Sequence, residues 1–372
     1  MITLSNVTKR YEGTESPVVN GIDLEIAKGE ICVLLGPSGC GKTTTLKMIN
    51  RLVQPSSGKI FIDGKDTEDF NVVELRRNIG YVIQQIGLFP NMTVEENLCV
   101  VPNLLGWEKK RARARAAELL DIVALDPEIY LKRYPKDLSG GQQQRVGVAR
   151  ALATDPPVML MDEPFGAIDP INRSLIQDEF LRIQQKVKKT IVFVSHDIDE
   201  AVKMADKIAI FRGGRIEQMN TPDNILARPA NAFVADFVGS DRALKRLRLL
   251  RADRILADAG CSVRIGESGQ RAQALMVQHG LDKIVMLDEN AQPCGYFTAT
   301  QLIDFSGTLS FAQASPLQKP VNPGDDLRTV VSSMFASGMS WLPGVDVHGR
   351  FLGYVDQRDI VDLLRVPEGG QP

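Results

Sequence analysis

Up to about residue 238 the chain alternates short apolar runs with stretches of helical periodicity. Residues 31–35, 158–161, 191–194 and 208–211 are continuous apolar runs with no polar alternation. A strand that reads apolar throughout is buried on both faces, as in a mostly parallel sheet between helices. These segments predict an α/β layered domain. Helix starts are marked by capping chemistry. Thr93-Val-Glu-Glu96 reads as a capping box, in which side chains at both ends satisfy backbone N–H groups reciprocally. Asp169-Pro170 places a cap residue before a proline at the first helical position.

The pattern changes after residue 240. Within 242–254, Arg242, Lys245, Arg246, Arg248, Arg251 and Arg254 face only one acid, Asp253, while Leu244, Leu247 and Leu250 recur at helical spacing. This predicts an amphipathic connecting helix. Its basic face suits an anionic membrane surface, nucleic acid or plain water, and the solvated face is the expectation for a chain near neutrality. An internal repeat follows. Shifted by 58 residues, 270–305 overlays 328–363 without a gap. The shift pairs Met276 with Met334, Gly280 with Gly338, Asp288 with Asp346, Gly295 with Gly353, Tyr296 with Tyr354 and Asp304 with Asp362. Each copy predicts a helix, two strands joined by a turn, and a second helix. Such half-stable units complete a core by packing on each other.

Composition narrows the classes. A chain of 372 residues holds two or three domains. A net charge of −2 gives no overall attraction for nucleic acid or anionic lipid. No apolar run reaches the roughly 18 residues of a membrane helix, and the first residues carry no apolar signal core. A membrane role is therefore expected to come through partners. Cys32, Cys40, Cys99, Cys261 and Cys294 are scattered, without a CxxC or Cys/His cluster. Reduced thiols are the expectation, not a zinc site or a disulfide framework.

The chemistry is concentrated in three motifs. Gly36, Pro37, Ser38, Gly39, Cys40, Gly41, Lys42 and Thr43 match G-x-x-x-x-G-K-[ST] between an apolar run and a helical stretch opening at Thr44. Glycines let the backbone wrap phosphate oxygens, and the helix N-terminus favours negative charge. Lys42 then neutralises phosphates and the Thr43 hydroxyl ligates Mg²⁺. The apolar run 158–161 ends in Asp162 and Glu163. Asp162 suits Mg²⁺, and Glu163 is left to orient and polarise an attacking water. Leu138-Ser139-Gly140-Gly141-Gln142 pairs a capping box with two glycines at a helix start, which makes a second anion site.

With Ser195-His196-Asp197, these motifs strongly resemble the ATPases of ABC transporters over residues 1 to about 240. The resemblance implies ATP and Mg²⁺ as cofactors. It also implies a head-to-tail homodimer in which Ser139, Gly140, Gly141 and Gln142 of one chain close over the ATP of the other. Tyr11 matches the adenine-stacking aromatic, with Thr44 completing the phosphate-binding set. Gln84, with Gln85 beside it, matches the glutamine that senses Mg²⁺ and water. Asp169 matches the aspartate linking the two sites, and His196 the γ-phosphate histidine.

A narrower resemblance rests on Lys-Met-Ile-Asn-Arg-Leu at 47–52, Gly-Tyr-Val-Ile-Gln at 80–84, Gly-Leu-Phe-Pro at 87–90 and Asp-Glu-Pro-Phe-Gly-Ala-Ile-Asp-Pro at 162–170. These look like the ATPases of osmoprotectant importers for glycine betaine, carnitine and choline, and the tail looks like a tandem CBS pair. The implied layout is an α/β P-loop ABC ATPase domain over 1–240, with a mixed sheet core, an antiparallel β part and a helical subdomain. A basic linker helix over 241–254, an α+β tandem CBS pair over 255–308 and 309–366, and a flexible tail over 367–372 follow. The implied partners are two integral-membrane permease subunits and an extracytoplasmic substrate-binding protein, at the cytoplasmic face of the inner membrane. Thr298, Asp356 and Asp359 are the candidate CBS ligand residues, for an adenine nucleotide or a cyclic dinucleotide. Each copy keeps half of the expected Thr/Asp pair, so packing or dimerisation competes with ligand binding there. An importer ATPase for another polar solute such as an amino acid, and a soluble ABC protein outside transport, are the alternatives.

Overall fold

The computed structural model describes residues 1–83, 87–166, 168, 170–258, 261–303, 305 and 307–365. Gln84, Asp169 and Asp304 lie outside the described residues. The chain divides into two compact units, residues 1–225 with 229–239, and residues 226–228 with 240 onward.

The first unit carries β1 (Ile2–Lys9), β2 (Val19–Ile26), β3 (Ile31–Leu35), β4 (Ser57–Ile62), β5 (Lys65–Asp66), β6 (Ile79–Val82), β7 (Val158–Asp162), β8 (Thr190–Ser195), β9 (Lys207–Arg212) and β10 (Arg215–Asn220). One sheet has the order β2-β1-β4-β5, and β1 pairs antiparallel with both β2 and β4. The other has the order β10-β9-β3-β8-β7-β6. It is parallel from β9 to β6, with β10 added antiparallel at one edge. Every residue of β3, β7 and β8 is buried, which is why these strands read as unbroken apolar runs.

Helices follow the strands. α1 (Lys42–Ile49) continues from β3, and α2 (Val72–Arg77) precedes β6. Between β6 and β7 the chain inserts α3 (Val94–Leu104), α4 (Lys109–Ile122), α5 (Pro127–Tyr130) and α6 (Gly140–Ala151). The capping box at Thr93 forms: its N–H donates to Glu96 Oε2 at 2.7 Å, and Glu96 N–H returns to Thr93 Oγ1 at 3.2 Å. α7 (Pro170–Val187) joins β7 to β8, α8 (Ile198–Met204) joins β8 to β9, and α9 (Pro222–Ala227) and α10 (Ala232–Val238) come after β10.

The second unit contains α11 (Arg242–Arg246), β11 (Ala257–Asp258), β12 (Ser262–Arg264), α12 (Gly269–His279), β13 (Lys283–Leu287), β14 (Pro293–Thr298), α13 (Ala299–Leu302), α14 (Leu327–Ser337), β15 (Trp341–Val345), β16 (Phe351–Asp356) and α15 (Gln357–Leu364). The bounds of α12, β13 and β14 recur 58 residues later in α14, β15 and β16. Gly280 and Gly338 end the equivalent helices in the left-handed region, at φ +62° and +66°. The copies share a core of Val285, Leu287, Trp341, Phe351 and Tyr354. Val285 N–H donates to the Tyr354 hydroxyl at 3.0 Å, and that hydroxyl donates to the Cys261 carbonyl.

The linker helix is corrected. Only Arg242–Arg246 is helical before the turn at Ala252–Arg254. Leu247, Leu250 and Ala252 enter the core of the second repeat with Leu327, Val330 and Leu342. The backbone pairs accordingly, Leu327 N–H to Leu250 O at 2.9 Å and Arg328 N–H to Leu247 O at 3.1 Å. Those carbonyls are taken by a neighbouring segment, so the helix cannot run on. Arg246 is buried and donates to Leu364 O at 2.9 Å, and Arg251 donates to Gly324 O at 3.1 Å. The module boundaries shift with it. β11 pairs with β16 of the second module, while Leu309 lies in the core of the first.

Candidate functional site

The glycine-rich loop 36–41 leaves the buried end of β3 and turns into α1. Gly36, Gly39 and Gly41 take φ of +148°, +78° and +103°. A Cβ on Gly36 would fall 2.4 Å from Phe211 O, and one on Gly41 2.6 Å from Val18 O. Only glycine fits at these two positions. Lys42 is buried, and its ammonium donates to Gly36 O at 2.6 Å and Pro37 O at 2.8 Å. Among the described residues it forms no ion pair. Two carbonyls and Cys40 Sγ, at 3.6 Å, hold the ammonium, and its charge also favours ionised Asp162, so a cation stands where an anion can meet it.

Sheet register assembles the rest. Asp162 ends β7 opposite Val194 of β8, and Leu35 of β3 stands opposite Ser195. Three loops thus leave the same sheet edge, where open α/β sheets bind ligands. Thr43 Oγ1 donates to Asp162 Oδ1 at 2.9 Å. These two hard oxygen donors come from separate motifs and fit Mg²⁺. Burial raises the Asp162 carboxyl above the usual carboxylate range; the Thr43 hydrogen bond opposes this and the charge of Glu163 adds to it. Tyr81 beside it is pushed up to about 12, by burial first and then by the Asp162 charge.

Glu163 N–H donates to Val194 O at 3.1 Å, and Glu163 Oε1 lies 3.5 Å from His196 Nδ1. Glu163 takes a left-handed φ of +46° where its carboxylate meets the imidazole, a conformation rare for a non-glycine residue and concentrated at functional sites. Phe165 anchors the following turn, edge-on to Phe180 at 5.9 Å and Phe193 at 6.5 Å. His196 is 62% exposed and the Glu163 side chain 25%, so both are open to water.

The structure therefore brings together Gly36–Thr43, Asp162, Glu163 and His196. Ser139 and Gln142 form their capping box, with Ser139 N–H to Gln142 Oε1 at 2.9 Å and Gln142 N–H to Ser139 Oγ at 3.3 Å. Gln142 Nε2 also donates to the Tyr130 hydroxyl at 2.9 Å. Nothing lies within 4 Å of a Cβ built on Gly140, so the start of α6 is open for an anion. Tyr11 is exposed, with Lys9 Nζ 5.0 Å from its ring centroid.

Two of the three tail residues, Thr298 and Asp356, are occupied internally. Thr298 caps α13 in a reciprocal box with Gln301. Asp356 caps α15 and accepts Lys283 Nζ at 2.9 Å. Burial opposes ionisation of Asp356, but the Arg358 N–H and Lys283 outweigh it and hold the carboxyl low. Burial and the Asp356 charge push Asp359 up. Sequence reasoning missed Tyr130, Gln177 and Glu200, which support the motifs from buried or half-buried positions. Each is a common residue in an ordinary helical pattern, and no local signal marks it.

The family model for the ABC transporter matches residues 19–166, and that for the CBS domain matches residues 319–366. The osmoprotectant import ATP-binding protein OsmV of Salmonella typhimurium is 52% identical, covering 98% of this chain and 96% of its own length. The glycine betaine/carnitine/choline transport ATP-binding protein OpuCA of Bacillus subtilis is 46% identical over the same shares, 98% and 96%. A solved dimeric ATP-binding cassette in a post-hydrolysis state, bound to ADP and Pi, matches with a TM-score of 0.53 at 35% identity. It covers 60% of this chain and 99% of that one.

Proposed function

Because the chain belongs to the ATP-binding subunits of osmoprotectant importers in the ABC transporter family, we propose that it hydrolyses ATP to drive uptake of a quaternary amine of the glycine betaine, carnitine and choline class. The observation that carries this reading is relatedness through both halves of the chain, 52% identity over 98% of its length, to a subunit named for osmoprotectant import. Among the described residues no helix is long and apolar enough to cross a membrane. The solute path is therefore assigned to two permease subunits, fed by an extracytoplasmic binding protein, with this chain at the cytoplasmic face. Reconstitution with those subunits tests it. ATP-driven uptake of labelled glycine betaine, carnitine or choline is expected, and uptake of amino acids alone would overturn the substrate class.

In this reading Lys42 and the loop N–H groups bind the phosphates, and Tyr11 stacks on adenine for about 1–3 kcal/mol. Thr43 and Asp162 would hold Mg²⁺, which when bound neutralises phosphate charge. Glu163 orients and polarises the attacking water, and His196, 3.5 Å from that carboxylate, would contact the γ-phosphate. Ser139, Gly140 and Gly141 face the nucleotide of a second copy. Gln84 and Asp169 keep the sensing and communication roles that the family resemblance implies.

Coupling to the membrane subunits is assigned to an exposed apolar group. Phe89 is 46% exposed and Leu104 62%. The Phe89 backbone is clamped by Asn97, N–H to Oδ1 at 2.8 Å and Nδ2–H to O at 3.1 Å. An exposed ring carried on a clamped backbone fits a docking surface. Phe89→Ser is expected to abolish transport while the isolated subunit still hydrolyses ATP. Full-rate transport would place the docking surface elsewhere.

The second unit is proposed to regulate the first. It supplies no residue to the ATP-site motifs, and all of it but residues 226–228 lies from 240 onward. Deleting residues 240–372 is expected to leave basal hydrolysis intact while removing the response to an added adenine nucleotide, cyclic dinucleotide or salt. Loss of basal hydrolysis in a folded truncated chain would refute this division of labour.

A further inference from the structure

The turn bearing His196 is tied to α7 by a buried polar network that the mechanism above does not use. Ser195 is 2% exposed. Its hydroxyl donates to Glu200 Oε2 and accepts the Asp197 N–H at 3.0 Å. Gln177, on α7, donates to Glu200 Oε1 at 3.1 Å. Both oxygens of this buried carboxylate are thus engaged, one from each side. Flanking links join the same two segments. Arg173 lies 3.7 Å from Asp197, and Lys203 Nζ lies 2.7 Å from Asp178 Oδ1 and donates to Ser174 O at 3.0 Å.

His196 by contrast is largely exposed, and Glu163 Oε1 lies 3.5 Å from its Nδ1. Where the imidazole stands is set by its backbone, which the neighbouring Ser195 and Asp197 anchor. A buried carboxylate is costly unless its hydrogen bonds are complete. Burial pushes the Glu200 pKa up, against the hydrogen bonds from Ser195 and Gln177. An apolar side chain would fill this space without that cost, so the carboxylate points to a geometric task.

We propose that Glu200 is a positioning residue for ATP hydrolysis: with Gln177 it locks Ser195 and the following turn onto α7, and so holds His196 opposite Glu163. The inference rests on His196 acting at the γ-phosphate. Misplacement of a reacting group by about 1 Å costs on the order of 10²-fold in rate, so this support carries weight.

The test is a double-mutant cycle in the full-length chain, measuring kcat, KM for Mg·ATP and affinity for a non-hydrolysed ATP analogue. Glu200→Ala is expected to lower kcat about tenfold or more, with KM and analogue affinity unchanged. Glu200→Gln, which keeps an acceptor for the Ser195 hydroxyl, should restore most of the rate. Combined with His196→Ala, Glu200→Ala should slow the enzyme no further, because a residue acting through another is non-additive with it. Normal kcat in Glu200→Ala, or additive losses in the double variant, would overturn the inference. Normal turnover in His196→Ala would instead overturn the role of His196 beneath it. Should Glu200→Ala fail to fold, Gln177→Leu removes one link and leaves the Ser195–Glu200 bond. A smaller, equally non-additive loss of kcat supports the proposal there, and an unchanged kcat overturns it.

Discussion

Replacing Glu163 with glutamine is expected to slow ATP hydrolysis by about 10²-fold or more, the usual scale for a positioned general base, while ATP still binds. The substitution preserves shape. The bonds that fix this turn, Glu163 N–H to Val194 O at 3.1 Å and Gly166 N–H to Glu163 O at 3.2 Å, are backbone bonds and survive it. What disappears is the negative charge and the basic oxygen 3.5 Å from His196. The fold and the phosphate loop should be unaffected, so the loss should fall on kcat. With hydrolysis blocked, the variant should accumulate as an ATP-bound pair of chains, visible as a dimer on sizing in Mg·ATP. Near-normal turnover would remove Glu163 from the role assigned to it.

Lys42→Ala acts on binding. A hydrogen bond to a charged group contributes about 1.5–3 kcal/mol, so ATP affinity should fall roughly 10- to 100-fold. The ammonium also cross-links its own loop through Gly36 O and Pro37 O. Its removal therefore loosens the cradle as well as discharging it. Lys42→Met keeps much of the apolar stem and separates the two effects: it should lose affinity with less loss of stability. Titration calorimetry with a non-hydrolysed analogue reads both variants. Unchanged affinity in either would contradict a phosphate contact.

Much of the site is legible along the chain because its parts are local. The turn from β3 to α1 needs glycines where a Cβ would strike Phe211 O or Val18 O, and that requirement is written in the spacing of Gly36 and Gly41. Capping boxes at Thr93 and Ser139 involve residues three apart, and both form. The repeat was readable for the same reason: a shift of 58 residues carries local patterns onto local patterns. The segment 242–254 was not. Its leucines recur at helical spacing, but Leu247 and Leu250 are buried by Leu327 and Val330, residues some eighty positions away that compete successfully for its backbone.

Sequence alone determined the parallel core, the glycine-rich turn from β3 to α1, the acidic strand end, the capped start of α6 and the duplicated tail, since each depends on burial period or on neighbours within a few residues. Only the tertiary structure decided that Thr43 meets Asp162 and Glu163 meets His196, because those contacts follow from the register of β7 on β8 and of β3 on β8. It also decided that Glu200 is a buried, twice-bonded carboxylate and not a solvated helical acid. A side chain's burial is set by what packs over it, and the cover here is Gln177 on α7, twenty-three residues earlier in the chain.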